Sequence, residues 1–212
     1  MSYISDILPY YIDNGLNSTK ETITVLKHIE GVLENNIEGD IIDMGCYNGH
    51  LLYHIQLLLE RHKSDKSLYG VDSFEGLPEL MDCDKHNNSS LIKFEKGDMS
   101  EAHIHDINEK FKDLKKPIIL KGFFNEIDLE KYPKKVSLAH FDGDLYKSIM
   151  HSFQIIYPRL SDGGVILVDD YTLPDLPGVK IATDEFLSDK VGTSYILNGK
   201  YIFIKHRNKQ TI

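Results

Sequence analysis

Two short acidic clusters close apolar runs late in the chain: Phe141-Asp142-Gly143-Asp144-Leu145-Tyr146 and Val168-Asp169-Asp170-Tyr171. Each apolar run reads as a buried strand. Carboxylates at the carboxyl ends of parallel strands point into the crevice where open α/β sheets take their ligands. Three such groups brought together without a cation repel strongly, so the pattern calls for a divalent metal. Donors that are all oxygen suit a hard ion rather than a soft one.

A second constellation lies upstream. In Asp43-Met44-Gly45-Cys46-Tyr47-Asn48-Gly49 the glycines permit a sharp turn between a strand and a helix and allow close approach to the backbone. The following helix N-terminus offers unpaired N–H groups. Tyr47 stands where the dinucleotide fingerprint has its middle glycine, which argues for a cofactor without a pyrophosphate. Asp72 closes the next strand, where a carboxylate can accept from both hydroxyls of a ribose, so a nucleoside cofactor is expected. The alternative role for Asp72 is a turn or helix cap.

These residues need a frame. Ser18 caps a helical pattern over Thr19 to Asn36, and residues 1–38 form a helical lead-in. Short strands are expected at Ile41 to Met44, Ser67 to Asp72, Pro117 to Leu120, Val136 to Phe141 and Val165 to Val168. Helical stretches lie between most of them, notably Glu101 to Phe111 and Tyr146 to Tyr157, which predicts a doubly wound, mostly parallel sheet. Thr193 to Leu197 and Lys200 to Ile204 flank Asn198-Gly199, the signal for a terminal antiparallel hairpin. The polar stretch 79–96, with Asp82, Asp84, His86 and Asn87 to Ser90, is long for a connection and reads as a mobile substrate loop. The tail from His206 is expected to fray.

With 212 residues and 41% apolar composition, one domain over residues 1–212 accounts for the chain. The 33 acidic against 24 basic residues, a formal charge of −9, argue against a nucleic-acid partner. No run has the length of a membrane span and the first residues lack a signal-peptide pattern, so a cytoplasmic protein without a membrane partner is expected. Its two cysteines, Cys46 and Cys83, fit a reducing compartment, and Cys46 reads as a small buried residue. A homo-oligomer is compatible with this composition.

Four stretches together resemble the macrocin O-methyltransferase-like branch of the class I S-adenosylmethionine-dependent methyltransferases: residues 39–45, Asp72-Ser73-Phe74-Glu75-Gly76-Leu77-Pro78, Asp142 to Tyr146, and Gly163 to Tyr171. The likeness spans about Thr19 to Phe186 and is poor over the polar loop. It implies a Rossmann-like, seven-stranded sheet with a reversed last strand. The implied cofactors are S-adenosylmethionine and Mg²⁺, and the implied metal ligands are Asp142, Asp169 and Asp170. Asp43, Gly45, Tyr47, Gly49, Asp72, Ser73 and Phe123 are expected around the cofactor, with Phe123 a wall for adenine or a plain core residue. The implied reaction is methylation of a hydroxyl on a sugar or other polyhydroxylated acceptor, with Asp142 as proton acceptor.

Asp144 is expected to cap the helix starting near Leu145, and His140 to be a structural residue packed beneath a crossover helix. Two other functions compete. A metal-dependent glycosyltransferase would use the Asp-x-Asp but leaves the glycine turn, Asp72 and Asp169-Asp170 unexplained. A non-catalytic cofactor-binding scaffold would not need the intact acidic triad.

Overall fold

The computed structural model describes residues 3–7, 18–85 and 93–206. His86, Asn87 to Ser90 and the tail beyond His206 lie outside the described residues.

Ser18 starts the first long helix as a capping box: its Oγ accepts from Glu21 N at 3.3 Å, and Glu21 Oε2 accepts from Ser18 N at 2.7 Å. The elements are α1 (Ile4–Ile7), α2 (Thr19–Glu34), β1 (Asp40–Met44), α3 (His50–Arg61), β2 (Leu68–Asp72), α4 (Ile104–Lys110), β3 (Ile118–Lys121), β4 (Val136–Phe141), α5 (Tyr146–Ile156), β5 (Leu160–Val168), α6 (Pro177–Leu187), β6 (Gly192–Leu197) and β7 (Lys200–Lys205). Short 3₁₀ turns occur at Asp82–Asp84, Leu129–Lys131 and Tyr157–Arg159.

The strands form one seven-stranded sheet in the order β3-β2-β1-β4-β5-β7-β6. β1 to β5 pair in parallel, while β7 runs antiparallel to both β5 and β6. The reversed strand of the expected hairpin is therefore β7, which inserts between β5 and the edge strand β6. The chain winds outward in opposite directions from β1 and β4, leaving a crevice at their carboxyl ends.

Alternation along the strands divides the core. Ile41, Leu138, Leu167 and Ile202 face α2 and α3 with Leu26, Ile29, Leu52 and Ile55. Ile42, Ala139, Phe141, Ile166 and Phe203 face α5 and α6 with Ile149, Phe153 and Val179. Burying both faces explains why the central strands read as continuous apolar runs.

Two elements differ from expectation. β5 begins at Leu160, five residues before Val165, because Gly163, at φ 77°, allows a bulge that restores the pairing with β4. α4 begins at Ile104 rather than Glu101, since Glu101 still lies in a turn and is exposed.

Candidate active site

The sheet ladder runs one residue past each central strand. Met44 O accepts from Asp142 N, and Phe141 O accepts from Asp169 N, both at 2.8 Å. Asp142 and Asp169 are thereby held side by side at the crevice. Val168 pairs with Tyr201, so the antiparallel register sets Asp169 opposite Lys200. The oxygens of Asp142, Asp144 and Asp170 come within 4.8 Å of one another, as do ligand atoms of His140, Asp142 and Asp169.

Crowding and burial set the charge state. Burial and the Asp170 and Asp169 charges push Asp144 up to about 8; burial and Asp169 push Asp170 up to about 7. Asp142 is raised well above the ordinary carboxylate range by burial and by Asp169, Asp144 and Asp170. Asp169 goes the other way. Burial alone would raise it, but the Lys200 charge and the His140 hydrogen bond hold it well below the usual range.

On the cofactor side, Gly45 and Tyr47 have positive φ, 96° and 46°, and wrap the chain around Asp72. Asp72 Oδ2 accepts from Tyr47 N and Oδ1 from Phe74 N, each at 2.8 Å. Each oxygen keeps a lone pair for a further donor. Burial nevertheless raises its pKa. A Cβ on Gly45 would lie 1.8 Å from Asp142 O, so this glycine serves the approach of β1 to β4 rather than the approach of a ligand. Gly49, at φ 73°, precedes α3. Ser73 Oγ donates to Gly76 O at 2.9 Å and accepts from Glu75 N, so it shapes its own turn. Phe123, half-buried, follows β3.

All the expected site residues, Asp43, Gly45, Tyr47, Asp72, Ser73, Phe123, Asp142, Asp169 and Asp170, line one cavity of about 840 Å³, except Gly49. Phe94, Lys96, Lys147, Ser148, His151 and Leu173 line it as well. Cys46 is buried, as expected, and burial raises its thiol pKa.

Two readings need correction. Asp144 does not cap α5: Leu145 occupies the N-cap position, and Asp144 sits at φ 58° with its carboxylate in the acidic cluster. The first-turn amide of Tyr146 is instead bound by Asp84 Oδ1 at 2.7 Å. His140 is no mere packing residue. Its Nδ1 donates to Asp43 Oδ1 at 2.8 Å and its Nε2 lies 3.5 Å from Asp169 Oδ2. Burial would lower its pKa, but the Asp169 and Asp43 hydrogen bonds and the Asp43 charge raise it. In the 79–96 segment, Asp84 is buried and the 3₁₀ turn around it packs on α6.

Lys200 escaped the sequence reading. It is 0% exposed, and its Nζ makes an ion pair with Asp169 Oδ2. The signal was its phase, since alternation from Ile202 puts Lys200 on the inward face of β7.

The family model for macrocin-O-methyltransferase (TylF) matches residues 19–197. The chain belongs to the macrocin-O-methyltransferase family. Demethyldecarbamoylnovobiocin O-methyltransferase of Streptomyces niveus is 24% identical over 163 residues, covering 74% of this chain and 62% of that protein. Mycinamicin III 3''-O-methyltransferase of Micromonospora griseorubida is 25% identical over 169 residues, covering 70% and 62%. This family member thus spans under two thirds of the length of either relative. Among solved structures, that of the O-methyltransferase NovP has a TM-score of 0.76 at 23% identity, covering 89% of this chain and 80% of that one. That of a calicheamicin methyltransferase has a TM-score of 0.72 at 18% identity, covering 95% and 84%. These likenesses establish the Rossmann-like methyltransferase fold. No helix among the described residues is long and apolar enough to cross a membrane.

Proposed function

We propose that this chain is an S-adenosylmethionine-dependent O-methyltransferase acting on a hydroxyl of a sugar or other polyhydroxylated small molecule, with a hard divalent cation such as Mg²⁺. One observation carries the reading: the Asp72 turn and the carboxylate cluster open into the same cavity. The curated relatives, named as O-methyltransferases of demethyldecarbamoylnovobiocin, of mycinamicin III and of a rhamnosyl-tetracenomycin C, support the acceptor class.

The residues fit both groups. Asp72 keeps acceptor capacity on both oxygens, and Tyr47, from the turn before it, and Phe123 both line the cavity. When bound, S-adenosylmethionine supplies the methyl group and its sulfonium leaving group. The cluster offers only oxygen donors at Asp142, Asp144 and Asp170, and burial together with the neighbouring carboxylates raises the pKa of each. Such a set matches a hard cation. When bound, Mg²⁺ supplies positive charge that favours the ionised form of an acceptor hydroxyl.

The chain's own groups supply the rest. Asp142 and Asp170 would hold the cation together with Asp169 or Asp144. Asp142, at the end of β4 and facing the cavity, accepts the hydroxyl proton on its carboxylate. The walls, with Leu77, Phe94, Phe123, Leu173 and Leu176, exclude water and orient acceptor against cofactor. A glycosyltransferase reading leaves the Asp72 turn without a role, and a scaffold reading leaves the four carboxylates without one.

The test is methyl transfer from labelled S-adenosylmethionine to a panel of glycosides and sugar nucleotides, with Mg²⁺ and with EDTA. Label transfer that needs Mg²⁺ supports the reading. Transfer at full rate in EDTA removes the cation from it, and no transfer to any hydroxylated acceptor, despite cofactor binding, would sink the acceptor class.

A further inference from the structure

The free edge of the sheet at β6 carries none of the features that keep edge strands apart. Residues 191–197 read Val-Gly-Thr-Ser-Tyr-Ile-Leu, with no charge and no proline, and β6 pairs with β7 over its whole length without a bulge. All six residues of β6 are exposed. Val191 and Ile196 are 56% and 52% exposed, and Tyr195 and Leu197 also face solvent. Single apolar side chains on a surface are ordinary, but a row of them along an unpaired edge marks an interaction site.

The register fixes which backbone groups are free. Leu197 and Lys200 flank the two-residue Asn198-Gly199 turn, and Val191 O accepts from His206 N at 3.3 Å, so the odd-numbered residues of this stretch bond to β7. The N–H and C=O groups of Gly192, Ser194 and Ile196 therefore point outward, and no group among the described residues pairs with them. We propose that β6 is a self-association edge, pairing antiparallel with β6 of a second copy of this chain about a twofold axis at Ser194.

Self-complementarity carries the choice of occupant. With Ser194 facing itself, Gly192 meets Ile196, Thr193 meets Tyr195 and Val191 meets Leu197 of the second copy, in both directions. Every exposed apolar side chain of the stretch then has a cross-strand neighbour, and Ile196 falls beside a residue with no side chain. Gly192 has no room for one, since a Cβ there would lie 2.4 Å from the Phe203 ring. Charge agrees. The chain carries a formal −9, yet no charged residue lies in the paired stretch, and the flanking Lys190 meets Asn198 rather than a like charge. The outward-facing pairs exchange about six backbone hydrogen bonds. β6 runs in the same direction as β5, so the joined sheet has its two cavities at opposite ends, each complete within one copy. A strand pair of this length is smaller than a standard interface, so a dissociation constant of about 10 µM is expected.

The test is sedimentation velocity of the full chain from about 1 to about 200 µM, with amide hydrogen exchange measured at both ends of that range. A monomer–dimer equilibrium is expected, with exchange at Ser194 and Ile196 slowed in the dimer. Ile196→Lys sets a charge on the edge, and Ser194→Pro removes an outward donor without touching a β7 bond; each should weaken the dimer by at least about tenfold. Ile118→Lys, on β3 at the opposite edge of the sheet, should dimerise as wild type does. Melting temperatures near that of wild type show that the variants fold, and if either β6 variant unfolds, the exchange rates of the wild type decide alone. A monomer at every concentration overturns the proposal. So does a dimer that both folded β6 variants retain, or one whose β6 amides exchange as fast as those of the monomer.

Discussion

Asp84 Oδ1 accepts the amide hydrogen of Tyr146 at 2.7 Å, so a side chain from the 79–96 loop caps the helix that follows the Asp142-Gly143-Asp144 turn. The same carboxylate accepts from Met81 N at 2.9 Å through Oδ2. A Cβ on Gly178 would lie 1.8 Å from Asp84 Oδ1, so α6 approaches closely enough to enclose it. A negative charge at the start of α5 also suits the helix dipole.

Replacing Asp84 with Ala strands two backbone donors, Tyr146 N and Met81 N, and should cost about 1–2 kcal/mol of stability. The loop should detach from α5 with it. Thermal melting should fall by several degrees and acceptor KM should rise, while S-adenosylhomocysteine affinity stays within about twofold. Unchanged melting would show that water replaces the cap at no cost.

Asp72→Ala should weaken S-adenosylhomocysteine binding by about tenfold or more, since it removes both the free acceptor positions and the two bonds that hold the Tyr47 and Phe74 amides. Mn²⁺ affinity should be untouched. Calorimetry with each ligand separates these effects, and an unaltered nucleoside titration rules out the ribose role.

Asp142→Asn keeps shape and removes charge. Turnover should drop by roughly a hundredfold or more, with cofactor affinity close to wild type. Single-turnover rates measured at saturating cofactor and cation decide it: a wild-type rate would place proton acceptance on another group.

Without a divalent ion the protein should lose stability as pH rises. Asp170 and Asp144 have folded pKa values of about 7 and about 8, against an ordinary value near 4 when unfolded. Between those limits the folded state holds more protons than the unfolded one, so stability falls with rising pH and levels off above about 8. His140, also raised, acts in the same direction. Melting temperature in EDTA should decline from about pH 5.5 to 8.5, and Mg²⁺ should restore more of it at the alkaline end. A melting temperature that climbs over this range in EDTA contradicts the carboxylate crowding.

The parallel sheet was legible because its strands are short apolar runs ending in turn chemistry, and the hairpin because Asn198-Gly199 names its own turn. The carboxylates were legible for the same reason: they stand where the apolar runs stop. What stayed hidden depends on distances between segments far apart in the chain. Asp84 looks like any polar loop residue until α5 and α6 close around it. Lys200 looks like a solvated hairpin charge unless the β5–β7 register is known, and only that register sets it against Asp169. His140 sits in an apolar run, and its partner Asp43 is 97 residues away. Asp144 was misread because local capping rules favour a short polar residue before a helix, whereas a positive φ turned its carboxylate to the cluster.

The absent side chain at Gly45 also has a mechanical meaning. Where a Cβ would strike Asp142 O, the backbone of the nucleoside-side turn rests on the backbone of the residue expected to take the proton. If the proposed reaction holds, its donor and acceptor sides are braced on one shared backbone contact rather than on two independent loops. On the proposed reading, the separation of the two sides would be gauged by β-sheet spacing, a dimension as constant as any in a protein.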